Sequence, residues 1–231
     1  MKTKTKILIV IALVVLVIVG VIGYMVVKDM KQEDILRTEV NSLSEKDVTK
    51  DSYDVVIKTT GDYAKVERAI KEYLNDYATT LQELLKIMED EKLVNCLSAD
   101  NYKNDGPDFT ETKDYLTKTK ESFNNKLDKL TDMTSEEKIM ESINKQKLDS
   151  YYVDLYEELM LKGIAASDFE ESQKDLQTAS ARINNVLNVE SEVIDLLIQN
   201  KGKWSIENDK IVFQSTETLN QYNELIKKLN Q

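Results

Sequence analysis

Residues 7–27 read ILIVIALVVLVIVGVIGYMVV, a run with no charged side chain and no strong helix breaker. As a helix at 1.5 Å per residue the run is roughly 31 Å long, which matches the hydrocarbon core of a bilayer. The sequence therefore predicts a transmembrane anchor over 7–27, preceded by a short tail (1–6) and followed by a long polar part. A cleaved signal peptide is the main competitor, because Lys2, Lys4 and Lys6 form a basic n-region. The run is too long for a usual h-region, however, and it ends in Gly-Tyr-Met-Val-Val-Lys-Asp without a small-x-small site.

Lys2, Lys4 and Lys6 flank one side of the run, whereas Lys28, Asp29, Lys31, Glu33 and Asp34 nearly cancel on the other. The positive-inside rule then keeps the tail in the cytoplasm and exports the rest, giving a single-pass protein of the cell membrane. Gly20 and Gly23 are three apart, so they do not make the close-packing GxxxG pattern.

Beyond residue 31 the chain carries 26 basic and 41 acidic side chains, a net charge of −15. That balance disfavours nucleic acid as a partner, because the phosphate backbone needs a positive face. The chain has one Cys and no His. Cys96 cannot close an intramolecular disulfide, and its plain reading is a small buried hydrophobe. A single Pro and six Gly leave little punctuation, which favours long helices over sheets. The wealth of Asn, Lys, Glu, Asp and Ile resembles the composition of AT-rich Gram-positive bacteria.

The membrane-proximal segment, 28–61, is expected to be helical. Met30, Ile35, Leu36, Val40 and Leu43 continue a helix out of the anchor, and 44–60 is ambiguous. Its Tyr53, Val55, Val56 and Ile57 suit a strand, but no second strand is near, so the reading favours an amphipathic helix. From 62 to 231 the pattern predicts an antiparallel helical bundle. A helix at 62–93 carries Tyr63, Val66, Ile70, Tyr73, Tyr77, Leu81, Leu84 and Met88 on one side. Residues 98–108, SADNYKNDGPD, read as an irregular acidic connection, with Asp108 as the cap of the next helix. Thr134 with Glu137 forms a capping box for a helix running to Gly163, and Ser167 with Glu170 forms another. Residues 203–213 alternate around Glu-Asn-Asp and predict a small β-hairpin before a last helix. The fold class is thus mainly α: one transmembrane helix, then an elongated bundle with a C-terminal hairpin. No heptad run is long enough to demand a two-stranded coiled coil.

Composition removes most chemistry. Without His there is no Ser-His-Asp arrangement and no HExxH, and one Cys makes neither a redox pair nor a cysteine-rich zinc site. Ser135-Glu-Glu-Lys138 is formally SxxK, but it sits at a helix start among carboxylates and lacks companion motifs. Glycosidase-type carboxylate pairs need a cleft that spacing does not reveal. The 98–108 segment lacks the alternating oxygens of a calcium loop, since Tyr102 and Lys103 stand where ligands are needed. The sequence therefore predicts no catalysis, no cofactor and no metal. It predicts a membrane-anchored extracytoplasmic interaction or scaffolding module with a protein or cell-envelope partner. An accessory or small-molecule-sensing subunit is the alternative, and an envelope enzyme using carboxylates is a third class. Tyr102, Asp105 and Trp204 are the candidate interaction surface, although Trp204 equally suits a pin between hairpin and bundle.

Overall fold

Helical spacing of apolar side chains governs the described residues, 27–164 and 169–229 of the computed structural model. The elements are α1 (27–44), α2 (Asp62–Met88), α3 (Glu91–Val94), α4 (Ala99–Asn104), α5 (Thr110–Met133), α6 (Glu136–Asn144) and α7 (Ser150–Glu157). A π-helical turn, Glu158–Ile164, extends α7, and α8 (Phe169–Gln199), β1 (Trp204–Glu207), β2 (Lys210–Phe213) and α9 (Thr216–Lys228) follow. The contacts divide the chain into two units. One holds residues to 47 with 51–75 and 139–166, the other 48–50, 76–138 and 167–231.

In the first unit Leu36, Val40 and Leu43 of α1 recur at helical spacing and are buried, as are Val66, Ala69 and Ile70 of α2. Ile139 and Ile143 of α6, Tyr156 of α7 and Met160 of the π turn complete this core. Tyr156 donates its hydroxyl hydrogen to the carbonyl of Ile139 at 2.8 Å, so its buried polar tip is satisfied. The expected continuous helix through Ile139 and Leu159 is broken between α6 and α7, where Lys147 takes a left-handed φ of 53°.

The amphipathic helix expected over 44–60 is absent, and residues 51–58 form neither helix nor strand. Buried charge explains the difference. The Glu67 carboxylate accepts the backbone N–H of Lys58 at 3.0 Å and of Thr59 at 2.8 Å, together with the Thr59 hydroxyl at 2.7 Å. Lys71, fully buried, bonds the carbonyl of Val56 at 2.6 Å and pairs with Glu39 at 2.7 Å and Glu67 at 2.9 Å. The Lys58 ammonium also reaches Glu39. Helical hydrogen bonds within the segment are thus replaced by side chains from α1 and α2. Every charge in this cluster has an opposite partner, which the burial of Glu39, Glu67 and Lys71 requires.

In the second unit α5 and α8 run antiparallel, as Lys113 on Asp195 (2.7 Å) and Lys120 on Asn188 (2.6 Å) show. Leu116, Phe123 and Leu130 of α5 meet Leu187, Val193, Ile194 and Leu197 of α8 in one core. The hairpin lies where the alternation placed it. Trp204 pairs with Phe213 and Ile206 with Ile211, joined by Asn208 and Asp209, both at positive φ, as a two-residue turn matched to strand twist requires.

Three local expectations shift. Residues 98–108 are not simply a loop, since Ser98 caps α4 by accepting the Asn101 N–H at 3.2 Å. Asp108 does not cap α5. Asp105 does so, taking the N–H of Thr112 at 2.7 Å and of Glu111 at 3.2 Å, while Asp108 pairs with Lys201. Thr134 ends α5, and Ser135 accepts the Lys138 N–H at 3.3 Å, one residue beyond the predicted box. The Ser167 box lies outside the described residues.

The expected membrane anchor is corrected here. Among the described residues no helix is long and apolar enough to cross a membrane. The helices present are amphipathic and put charge into successive turns, as DYAKVERAIKEYL at the start of α2 illustrates. All of 7–27 except Val27 lies outside the described residues. The fold is a mainly-α bundle with a C-terminal hairpin. The single-pass topology, the membrane localisation, the bilayer contact and the membrane-anchored scaffold with its protein or envelope partner find no support in it and are set aside.

Candidate functional site: an acidic groove between α8 and α9

Lys228 of α9 meets Glu192 of α8 at 3.1 Å, and Asn185 donates to the Lys228 carbonyl at 2.9 Å, which seats the end of the last helix on α8. The inner face of α8, with Val193, Ile194 and Leu197, belongs to the core. Its next face, one helical turn at a time, is Glu192, Asp195, Leu196 and Gln199. Opposite it α9 offers Glu217, Glu224, Leu225 and Lys228 at the same spacing. Between them runs an open groove of about 920 Å³. Half-buried Leu196 and Leu225 form its apolar floor, and four carboxylates against one ammonium form its walls.

Three of the four acids already have cations: Glu192 has Lys228, Asp195 has Lys113 and Glu224 has Lys227 at 2.6 Å. These pairs are about half exposed, so each contributes about 0–1 kcal/mol and an incoming cation exchanges for it at little cost. Glu217 is exposed and has no cationic partner among the described residues. From Glu192 to Gln199 the groove follows α8 for about 10 Å. This arrangement suits a ligand with an apolar body and cationic ends.

A second polar feature lies under the same helix. Glu190 is buried beside Cys96, and its Oε2 has no hydrogen-bond partner. Burial pushes its carboxyl up to about 8, so the acid form prevails near neutrality. Burial, with the Glu190 carboxyl beside it, pushes the Cys96 thiol up to about 12. The thiol is therefore protonated and inert as a nucleophile at neutral pH.

Tyr102 and Trp204 are in contact in the second unit, Tyr102 buried and Trp204 half-buried, and Asp105 is half-buried one helical turn from Tyr102. Tyr102 is buried edge-on to Phe109 and Trp204, with its hydroxyl 3.2 Å from that of Tyr222. The Trp204 ring stacks on Phe109 at 5.9 Å and its Nε1–H donates to the Leu197 carbonyl at 2.9 Å. Asp105 is engaged as the cap of α5, and those donors outweigh burial to hold its carboxyl below the ordinary range. Glu190 and the groove carry no motif. The groove depends on which faces of two helices separated by the hairpin are left uncovered, and the spacing of Glu192, Asp195 and Leu196 was the only signal for it.

No family model, curated protein or solved structure matches this chain.

Proposed function

We propose that this protein is a non-catalytic binding module whose α8–α9 groove takes a small amphipathic cation, an apolar body bearing amine or guanidinium ends. The observation that carries this reading is the pairing of an apolar floor, Leu196 and Leu225, with carboxylates along both walls. A volume near 920 Å³ lies within the range of small-molecule clefts. Apolar contact supplies affinity and the carboxylates, above all Glu217 with no cationic partner among the described residues, supply the choice of sign. Octamethylenediamine, whose amines are spaced to reach both ends of the groove, is a direct probe. Thermal melts of the full chain are expected to rise saturably with this diamine and not with the dicarboxylate of equal length at matched ionic strength. Equal response to both, or none to the diamine, contradicts the reading.

A further inference from the structure

The hairpin of the second unit has a strand edge that the helices leave without partners. The Gln214 N–H donates to the Lys203 carbonyl at 3.0 Å, so these two residues form a hydrogen-bonded pair just outside the strands. Bonded and non-bonded pairs alternate along an antiparallel ladder. The register then makes Ser205 with Val212, and Glu207 with Lys210, the next bonded pairs. The N–H and C=O groups of Trp204 and Ile206 therefore point away from β2, out of the edge of β1, and nothing among the described residues bonds them. Neighbouring α4 meets β1 through side chains, Tyr102 against the Trp204 ring, and gives these backbone groups no partner. Trp204 and Ile206 pack on the core yet stay only half-buried. Lys203 and Glu207, at the two ends of the edge, are exposed and have no oppositely charged partner among the described residues. A strand edge of this kind is a template for another strand.

We infer that the strand it takes is β1 of a second copy, paired antiparallel about a two-fold axis at Ser205. The strand is complementary to itself in that register. Trp204 falls opposite the second copy's Ile206, and the outward groups of these two residues are the ones a hydrogen-bonded pair exchanges. The axis makes that pair twice. Their half-buried side chains then cover one another across the junction. Ser205 meets its own equivalent and Lys203 meets the second copy's Glu207, both at non-bonded positions, where side chains come closest and opposite charges add to the pairing. Moving the axis to Trp204 or to Ile206 brings Gly202 or Asn208 into the pairing, both at positive φ outside the ladder, and parts Lys203 from Glu207. The interface is isologous and closes at two copies.

The test reads both assembly and register in the full chain. Sedimentation of the unmodified protein is expected to show a monomer–dimer equilibrium. Lys203→Glu and Glu207→Lys each set like charges opposite one another and are expected to weaken dimerisation at least several-fold. The double variant restores opposite charges and is expected to recover to within about two-fold of the unmodified protein. Both residues are exposed, so all three variants are expected to keep the melt of the monomer. Cysteine placement reads the register. In the proposed pairing the two Ser205 Cα atoms lie about 4.5 Å apart, within disulfide range, whereas those of Val212, one strand further out, are roughly 15 Å apart. Both residues are exposed, and under mild oxidation Ser205→Cys is expected to cross-link at least several-fold faster than Val212→Cys, with buried Cys96 silent. A monomer at every concentration, a double variant as weak as either single one, or equal cross-linking at the two positions overturns the inference.

Discussion

The carboxyl of Glu190 lies beside the thiol of Cys96 in the core of the second unit, with one oxygen bonded to nothing. A charged carboxylate there would be costly, and the neutral acid is what the site accepts. Unfolding frees the acid to ionise at its ordinary value, so between that value and about pH 8 the native chain holds a proton that the unfolded chain has released. Stability contributed by this group is full below the unfolded value and falls as pH rises towards 8, by up to about 1.4 kcal/mol per pH unit. Denaturant melts from pH 5 to 9 are expected to show that decline, and Glu190→Gln is expected to flatten it. An unchanged slope in the variant contradicts the assignment.

The first unit behaves oppositely at low pH. Burial works to raise the carboxyls of Glu39 and Glu67, but Lys58, Lys71 and Thr59 outweigh it and hold both below the ordinary glutamate value. Their contribution is present above that ordinary value and is lost as pH falls through the depressed ones. Lys71→Met leaves Glu67 and Glu39 short of their buried cation and is expected to destabilise by about 3–5 kcal/mol. Chemical denaturation with a probe in the first unit, such as a fluorophore near Tyr63, measures it. A loss below 1 kcal/mol would mean the cluster is solvated.

Trp204 tests the packing of the hairpin. Trp204→Ala removes the ring stacked on Phe109 and the bond to Leu197, at an expected cost of about 3–5 kcal/mol. Gly106→Ala probes the same corner from the backbone, since an added Cβ would stand 2.3 Å from the Tyr102 carbonyl oxygen and 3.0 Å from Trp204. Overpacking of that kind costs about 1–3 kcal/mol. Both variants are expected to lower the midpoint of the whole second unit, read by thermal melts, and unaltered melts would show the corner to be loosely packed.

What the sequence made legible was periodic. The apolar stripe of α2, the stripes of α5 and α8 and the hairpin alternation around Asn208 and Asp209 all lie close to their expected places, because spacing alone decides which face is buried. Where one distant side chain decided the outcome, the reading failed. Residues 51–58 carry a pattern a helix accepts, and it is Glu39, Glu67 and Lys71 on the flanking helices that bond the segment out of helical form. The cap of α5 moved from Asp108 to Asp105 because Phe109 turns left-handed and draws the chain back. Tyr102 and Trp204 looked equally suited to a surface and to a core, and one-dimensional spacing does not separate the two. The apolar run at 7–27 dominated the functional reading, yet no described helix carries a membrane span. The groove was invisible for a related reason, since Glu192 and Glu217 read as ordinary solvated positions until α9 lies against α8.

The reading of the groove is tested most directly by calorimetric titration of octamethylenediamine into the full chain and into the double variant Glu217→Gln with Glu224→Gln. Both substituted residues are exposed, so the variant is expected to keep the melt of the unmodified protein. The account predicts a saturable single-site isotherm for the unmodified chain, weakened at least about five-fold in the double variant, or about 1 kcal/mol. Indistinguishable isotherms for the two proteins, or heat that tracks ionic strength alone, would contradict it.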